Sequence, residues 1–278
     1  VNPLPVIVQP TPLAICDDAL ADAFTVFDLT LKNTEITVGD GSLEVVYYTT
    51  LVDAEAATNA IVDPTAYTNQ AIGIAAANPQ TLYARVTDLD TGCFDHTTLT
   101  IRVLPNPTPS PDPMDLELCD DTNSGDALEV FDLTTEEIFI LNGELGVSAT
   151  YHETLEDAEA GTNLIIDPET YTNIESPVQT IHVRVTNNLT GCYTLVDFDI
   201  IVNPLPNATA VADMIACELN TDDVFDFDLE GQSSLILGGQ DPSIFELTYH
   251  ASLTDAQDGI NFLGSPYTNS SDPELIFV

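Results

Sequence analysis

Apolar and polar residues alternate along four stretches of the chain. Leu82, Ala84 and Val86 fall on one side of Thr81–Thr87, and Leu99, Ile101 and Val103 do the same a little further on. Ile181, Val183 and Val185, then Phe198, Ile200 and Val202, repeat both patterns at an offset of 99. A period of two predicts strands with one buried and one wet face. Gly39-Asp40-Gly41, Asn142-Gly143 and Gly238-Gly239 supply turn signals ahead of three tyrosine-containing segments. Helical periodicity is nearly absent. The one hint of it follows those tyrosines, where Asp53, Asp157 and Asp255 are placed to cap a single turn through an Ala-rich segment.

The strand pattern belongs to a longer repeat. Tyr47-Tyr48-Thr49-Thr50-Leu51-Val52-Asp53-Ala54 returns as Tyr151-His152-Glu153-Thr154-Leu155-Glu156-Asp157-Ala158 and as Tyr249-His250-Ala251-Ser252-Leu253-Thr254-Asp255-Ala256, at offsets of 104 and 98. Phe27-Asp28-Leu29 and Tyr67-Thr68-Asn69 also occur three times in step with it. A period near one hundred is the size of an independent domain rather than of a solenoid repeat. Pro-rich junctions, Val103-Leu104-Pro105-Asn106-Pro107 and Val202-Asn203-Pro204-Leu205-Pro206, place the domains at 1–104, 105–203 and 204–278. The third lacks the segment that closes the other two with Thr-Gly-Cys, so the chain is expected to be part of something longer. About seven short strands per unit predict an all-β fold of tandem Ig-like β-sandwiches. The chain has no Trp to pack on an antibody-type disulfide.

The five cysteines follow the repeat. Cys16, Cys119 and Cys217 share one position, and Cys93 and Cys192 share another. The simplest pairing is one bridge within each domain, Cys16–Cys93 and Cys119–Cys192, with the partner of Cys217 beyond residue 278. Such bridges imply an oxidising compartment. Buried free thiols are the alternative.

Charge narrows the partners. Against 46 acidic residues stand four basic ones, Lys32, Arg85, Arg102 and Arg184, for a net charge of −42. That balance excludes nucleic acid and anionic membranes as partners. At 44% hydrophobic residues the chain is folded all the same. A repulsive soluble surface, divalent-cation sites and adaptation to high salt would each account for the acidity. No apolar run approaches the ~20 residues a membrane helix needs, and no leader-like segment opens the chain.

Candidate chemistry is thin. Asp90-Thr91-Gly92 matches the aspartic-protease triplet, but its repeat equivalent is Leu189-Thr190-Gly191, and a dyad needs two aspartates. A turn before Cys93 is the better reading, and no catalytic residue is assigned. His152 and His250 are expected on the strand surface, and Arg85 and Arg184 in ion pairs with aspartates on a neighbouring strand. One acidic loop occurs three times: Asp17, Asp18 and Asp22; Asp120, Asp121, Asn123 and Asp126; Glu218, Asn220, Asp222 and Asp223. Closely spaced side-chain oxygens are what Ca2+ requires; solvated turns are the alternative.

The succession Cys-Asp-Asp, Phe-Asp-Leu-Thr, Tyr-x-x-Thr-Leu-x-Asp-Ala-Glu-Ala, Tyr-Thr-Asn, Arg-Val-Thr, Thr-Gly-Cys and Val-Asn-Pro-Leu-Pro resembles the tandem repeats of very large Bacteroidetes surface proteins. Those are similar to gliding-motility and adhesin-type proteins exported by the type IX secretion system. The resemblance implies a non-enzymatic, extracellular stalk or spacer at the cell surface. Its partners would be other repeats of the same chain, and surface glycans or proteins reached through other regions. The alternative is that each sandwich is itself a carbohydrate- or protein-binding module.

Overall fold

The structure is a computed structural model that describes residues 2–18, 20–72, 75–121, 125–217 and 223–278. In the first repeat, Leu43–Tyr48, Gln80–Asp88 and Phe94–Leu104 form successive antiparallel neighbours, and Leu13–Cys16 runs parallel along the far edge. The second repeat builds the same four-stranded sheet from Val147–His152, Val178–Asn187, Tyr193–Asn203 and Leu116–Cys119. A two-stranded ribbon faces each sheet, Val26–Phe27 with Tyr67–Thr68 in the first repeat and Val130–Phe131 with Tyr171–Thr172 in the second. These two are tandem Ig-like sandwiches with one full layer and one abbreviated layer; the third repeat has the equivalent ribbon, Asp226–Phe227 with Tyr267–Thr268, and no four-stranded sheet among its described residues.

The inward residues are those the alternation marks. Leu82, Ala84, Val86, Leu99 and Ile101 are fully buried, as are Ile181 and Val183. They pack on Phe27, Leu29, Ile36 and Tyr47 in the first repeat. Burial pushes the Tyr47 and Tyr151 hydroxyls well above the ordinary tyrosine range. The Tyr47 hydroxyl donates to the Leu29 carbonyl at 2.9 Å and to Asn33 Oδ1 at 2.7 Å.

Helical turns are more frequent than the pattern predicts. Within Phe-Asp-Leu the outer residues enter the core, and Asp28 accepts the Thr30 N–H at 3.0 Å, starting a 3-10 turn over Leu29–Lys32. Asp132 and Asp228 repeat that cap. The helices Leu51–Ala56, Leu155–Ala160 and Leu253–Asp258 follow the tyrosines, but their caps are Thr50, Thr154 and Ser252, not the aspartates. Each aspartate sits at the third helical position, where its N–H donates to the cap oxygen and its carboxylate accepts the cap hydroxyl. Asp157 also accepts from Asn163 Nδ2 at 2.8 Å, fastening the loop after the helix. The hydroxyl of Thr50, Thr154 or Ser252, and then the following asparagine amide, hold these carboxyls below the usual carboxylate range.

The chain divides into two compact units. One comprises Val1–Leu118 with Leu128–Val202, and the other Cys119–Ala127 with Asn203–Val278. Within the first unit the two repeats touch through their junction, where Asn106 Nδ2 donates to the Asp17 carbonyl at 3.0 Å and Thr194 Oγ1 to the Pro107 carbonyl at 2.6 Å. No helix among the described residues is long and apolar enough to cross a membrane.

Candidate functional site

Cys16 ends the edge strand of the first repeat, and Cys192 follows a tight turn that precedes the last strand of the second. In that turn Asn187 Oδ1 accepts the Leu189 and Thr190 N–H groups at 3.0 and 3.1 Å, and Gly191 takes a φ of +77°. Positive φ is strained for residues with a Cβ. Cys192 is fully buried, and its sulfur is bonded to Cys16, with the two Cα atoms 5.5 Å apart. The bridge therefore joins one repeat to the next, across 176 residues of sequence.

This corrects the intradomain pairing. In the first repeat the parallel register sets Cys16 opposite Leu104, whereas Cys93 precedes the other end of the same strand, Phe94–Leu104. At about 3.3 Å per residue the two are separated by the strand's length, ~36 Å, far beyond the ~7 Å limit between Cα atoms for a disulfide. The second repeat obeys the same geometry: Asp120 N donates to the Asn203 carbonyl at the end of Tyr193–Asn203, and Cys192 precedes its start. Cys93, Cys119 and Cys217 are free thiols, the latter two exposed.

The acidic loops are only partly described. Asp17, Asp18 and Asp22 each bring one carboxylate oxygen within 4.8 Å of the others. The same side chains hold the loop: Asp17 accepts from Asp18 N and Ala23 N, Asp18 from Leu20 N and Asp22 from Phe24 N. In the second repeat Asp120 is buried and accepts from Gly125 N at 2.6 Å, while Asp121 and Asp126 are exposed. Among the described residues no triad equivalent to the first is formed there. Asn123, Glu218, Asn220 and Asp222 lie outside the described residues, and the Asp223 carbonyl accepts from Asn269 Nδ2.

Several polar residues take other roles than the pattern assigns. His152 and His250 are buried, each 1% exposed. Nδ1 donates to the carbonyl of Thr162 or Ile260, and Nε2 meets Thr150 or Thr248 Oγ1 at 3.0 or 2.9 Å. Arg85 and Arg184 form no aspartate pair among the described residues. Each donates twice from Nη1 to carbonyls at the end of the preceding helix, Ala54 and Glu55 or Ala158 and Glu159, at 2.8–3.0 Å. Each guanidinium also lies over a ring, Phe94 or Tyr193, at 3.3 and 3.4 Å. A cation at a helix C-terminus complements the dipole there, and the ring face adds a cation–π contact. Asp90 is an exposed turn residue whose N–H bonds Asp88 Oδ1.

Composition and spacing missed the role of the Tyr-Thr-Asn asparagine. Asn69, Asn173 and Asn269 each accept a backbone N–H from the segment entering the ribbon, from Thr25, Glu129 and Phe225 at 2.9, 2.7 and 2.6 Å. Its threefold recurrence was the available signal.

Among solved structures the chain is similar to three titin domains, I67–I69, in an E-to-A variant, at 10% identity over 71% of this chain, with a TM-score of 0.23; it spans 65% of that chain. It is also similar to Drosophila N-cadherin EC1-3, at 16% identity over 72% of this chain and 67% of that one, with a TM-score of 0.24. No curated protein sequence matches. A family profile, however, matches three times, over residues 12–109, 115–206 and 213–278, and is described by a bond of the kind that Cys16 and Cys192 make between repeats. By this match the chain belongs to the FIDD family, the Flavobacterium inter-domain disulphide bond domain.

Proposed function

We propose that this chain is a non-enzymatic spacer, a stalk segment of a large extracellular adhesin or surface filament. The observation that carries the reading is the Cys16–Cys192 bond, which staples neighbouring repeats rather than the interior of one. A bond so placed limits the freedom of one domain relative to the next, as a load-bearing element requires. Disulfides persist in oxidising compartments, which supports an extracellular or secreted location. The −42 charge keeps such a segment soluble and unassociated. The buried histidines and the two arginines serve the fold, in keeping with a structural role. Attachment at the cell surface, export by type IX secretion and a part in gliding or adhesion belong to the same proposal and rest on the repeat motifs.

Single-molecule pulling of the oxidised chain tests it. An oxidised chain whose extension under load stops at the contour outside the Cys16–Cys192 ring supports a mechanical role, and one that extends past that length at negligible force in oxidising buffer would sink it. Weak Ca2+ binding by Asp17, Asp18 and Asp22 fits the same reading, because their oxygens converge. Calorimetric titration should then give a Ca2+ heat that Asp18→Asn abolishes, and no heat with the unaltered chain would remove the ion.

A further inference from the structure

One stretch of surface differs in kind between the first two repeats. In the first, the turn Leu29–Lys32 and the helix Asn33–Ile36 carry a polar cluster: Lys32 Nζ donates to Glu35 Oε2 at 2.9 Å and to Thr11 Oγ1 at 2.7 Å, and the Thr11 hydroxyl donates to Glu35 at 3.1 Å. The equivalent turn and helix of the second repeat, Leu133–Glu136 and Glu137–Ile140, set Glu136 in the place of Lys32, Ile138 in that of Thr34 and Phe139 in that of Glu35. Met114 stands for Thr11, each five residues ahead of the first cysteine of its repeat. In place of the polar cluster lies an open groove of about 490 Å³ lined by Met114, Glu136, Ile138 and Phe139. The three apolar residues are 63, 89 and 51% exposed, whereas Glu136 is 9% exposed. Its carboxylate caps no helix end and makes no hydrogen bond or ion pair among the described residues. The fold requires neither feature, since the first repeat builds the same turn and helix with polar side chains outside. An exposed apolar wall of this kind marks an interaction surface, and a nearly buried carboxylate without a partner is unfavourable until a cation reaches it.

We infer that this groove docks a lysine side chain of a separate polypeptide. The incoming ammonium meets Glu136 in a charge-assisted hydrogen bond, the counterpart of the one that Lys32 and Glu35 make within the first repeat. Its four-carbon stem lies along Phe139 and Met114, as long cationic side chains cover apolar surface, and an apolar neighbour of that lysine covers Ile138. The occupant is another protein, because the one lysine of this chain, Lys32, is already held by Glu35 and Thr11. The −42 charge draws a basic partner in from a distance. The apolar wall then selects a lysine set among apolar residues from other cations.

Titration of the whole 278-residue protein with the peptide acetyl-Ala-Leu-Lys-Leu-Ala-amide, followed by amide NMR shifts, tests this. The shifts should centre on Met114 and residues 135–143. Acetylating the peptide's lysine Nζ keeps the stem and removes the charge, and should weaken binding roughly tenfold. Glu136→Gln should weaken the unmodified peptide by about the same factor, and Phe139→Ala roughly fivefold through lost apolar contact. Glu169→Gln removes an exposed carboxylate elsewhere in the same repeat and should change binding by less than about twofold. Shifts absent from 135–143 or spread over the acidic surface, equal binding of the two peptides, or equal losses in Glu136→Gln and Glu169→Gln would each overturn the docking site. The first two outcomes are read on the unaltered protein and do not depend on any variant folding.

Discussion

Replacing Cys16 or Cys192 by alanine opens a ring that one bond closes across 176 residues. In the chain-entropy model a loop of that length restricts the unfolded ensemble by about 5 kcal/mol at 25 °C. Urea unfolding of the oxidised protein should show that loss for Cys16→Ala, with up to about 1 kcal/mol more for Cys192→Ala, whose side chain is fully buried. The double variant should lose no more than Cys192→Ala alone, since either single change removes the whole bond. Cys93→Ala and Cys119→Ala should stay within about 0.5–1 kcal/mol of the parent. The pairing is also readable directly. The four basic residues are the only trypsin sites, so digestion leaves peptides 1–32, 33–85, 86–102, 103–184 and 185–278. Without reduction, and in a Cys217→Ala background, 1–32 should remain joined to 185–278. Finding 1–32 joined to 86–102, or a loss of several kcal/mol in Cys93→Ala, would refute the inter-repeat bond.

Three further outcomes follow from the geometry. Asn173→Ala removes the acceptor of the buried Glu129 N–H and should cost about 2 kcal/mol in urea unfolding, against a negligible change for the exposed neighbour Thr172→Ala. Arg184→Met should cost about 1–2 kcal/mol by the same measure, most of it kept between 0.1 and 1 M salt, because two short bonds to carbonyls and a ring contact outweigh the screened dipole; a loss that vanishes in 1 M salt would restore the ion pair. The Asp157 carboxyl is held below its ordinary value, so its stabilisation is present above the unfolded value, near pH 4, and is lost as pH falls through the folded value. The difference in urea midpoint between the parent and Asp157→Asn should therefore shrink below about pH 4, and a gap that is constant from pH 7 to 3 would contradict this.

Much of the fold was legible because alternation reports burial directly: Leu82, Leu99 and Ile181 face inward as their spacing says. The disulfide was not. A bond within each repeat and a bond from each repeat to the next give the same cysteine positions, and only the parallel register of Leu13–Cys16 separates them. The arginine partners were hidden because a backbone carbonyl leaves no mark on composition. His152 reads as a surface residue by alternation from buried Tyr151, yet the chain returning through Thr162 covers that face too, and Tyr48 at the same place in the first repeat is likewise buried. The acidic loops keep their aspartates in sequence, but only the first gathers three carboxylates among the described residues.

The bridge also redirects tension. A pull on Val1 and Val278 runs to Cys16, crosses the sulfur bond and leaves through Cys192, so residues 17–191 lie off the load path. The contour that can be drawn out is then about 100 residues, roughly 350 Å at ~3.4 Å each, while about 600 Å stays coiled inside the ring. Reduction releases that reserve in one step, so a single thiol-exchange event lengthens the tether nearly threefold.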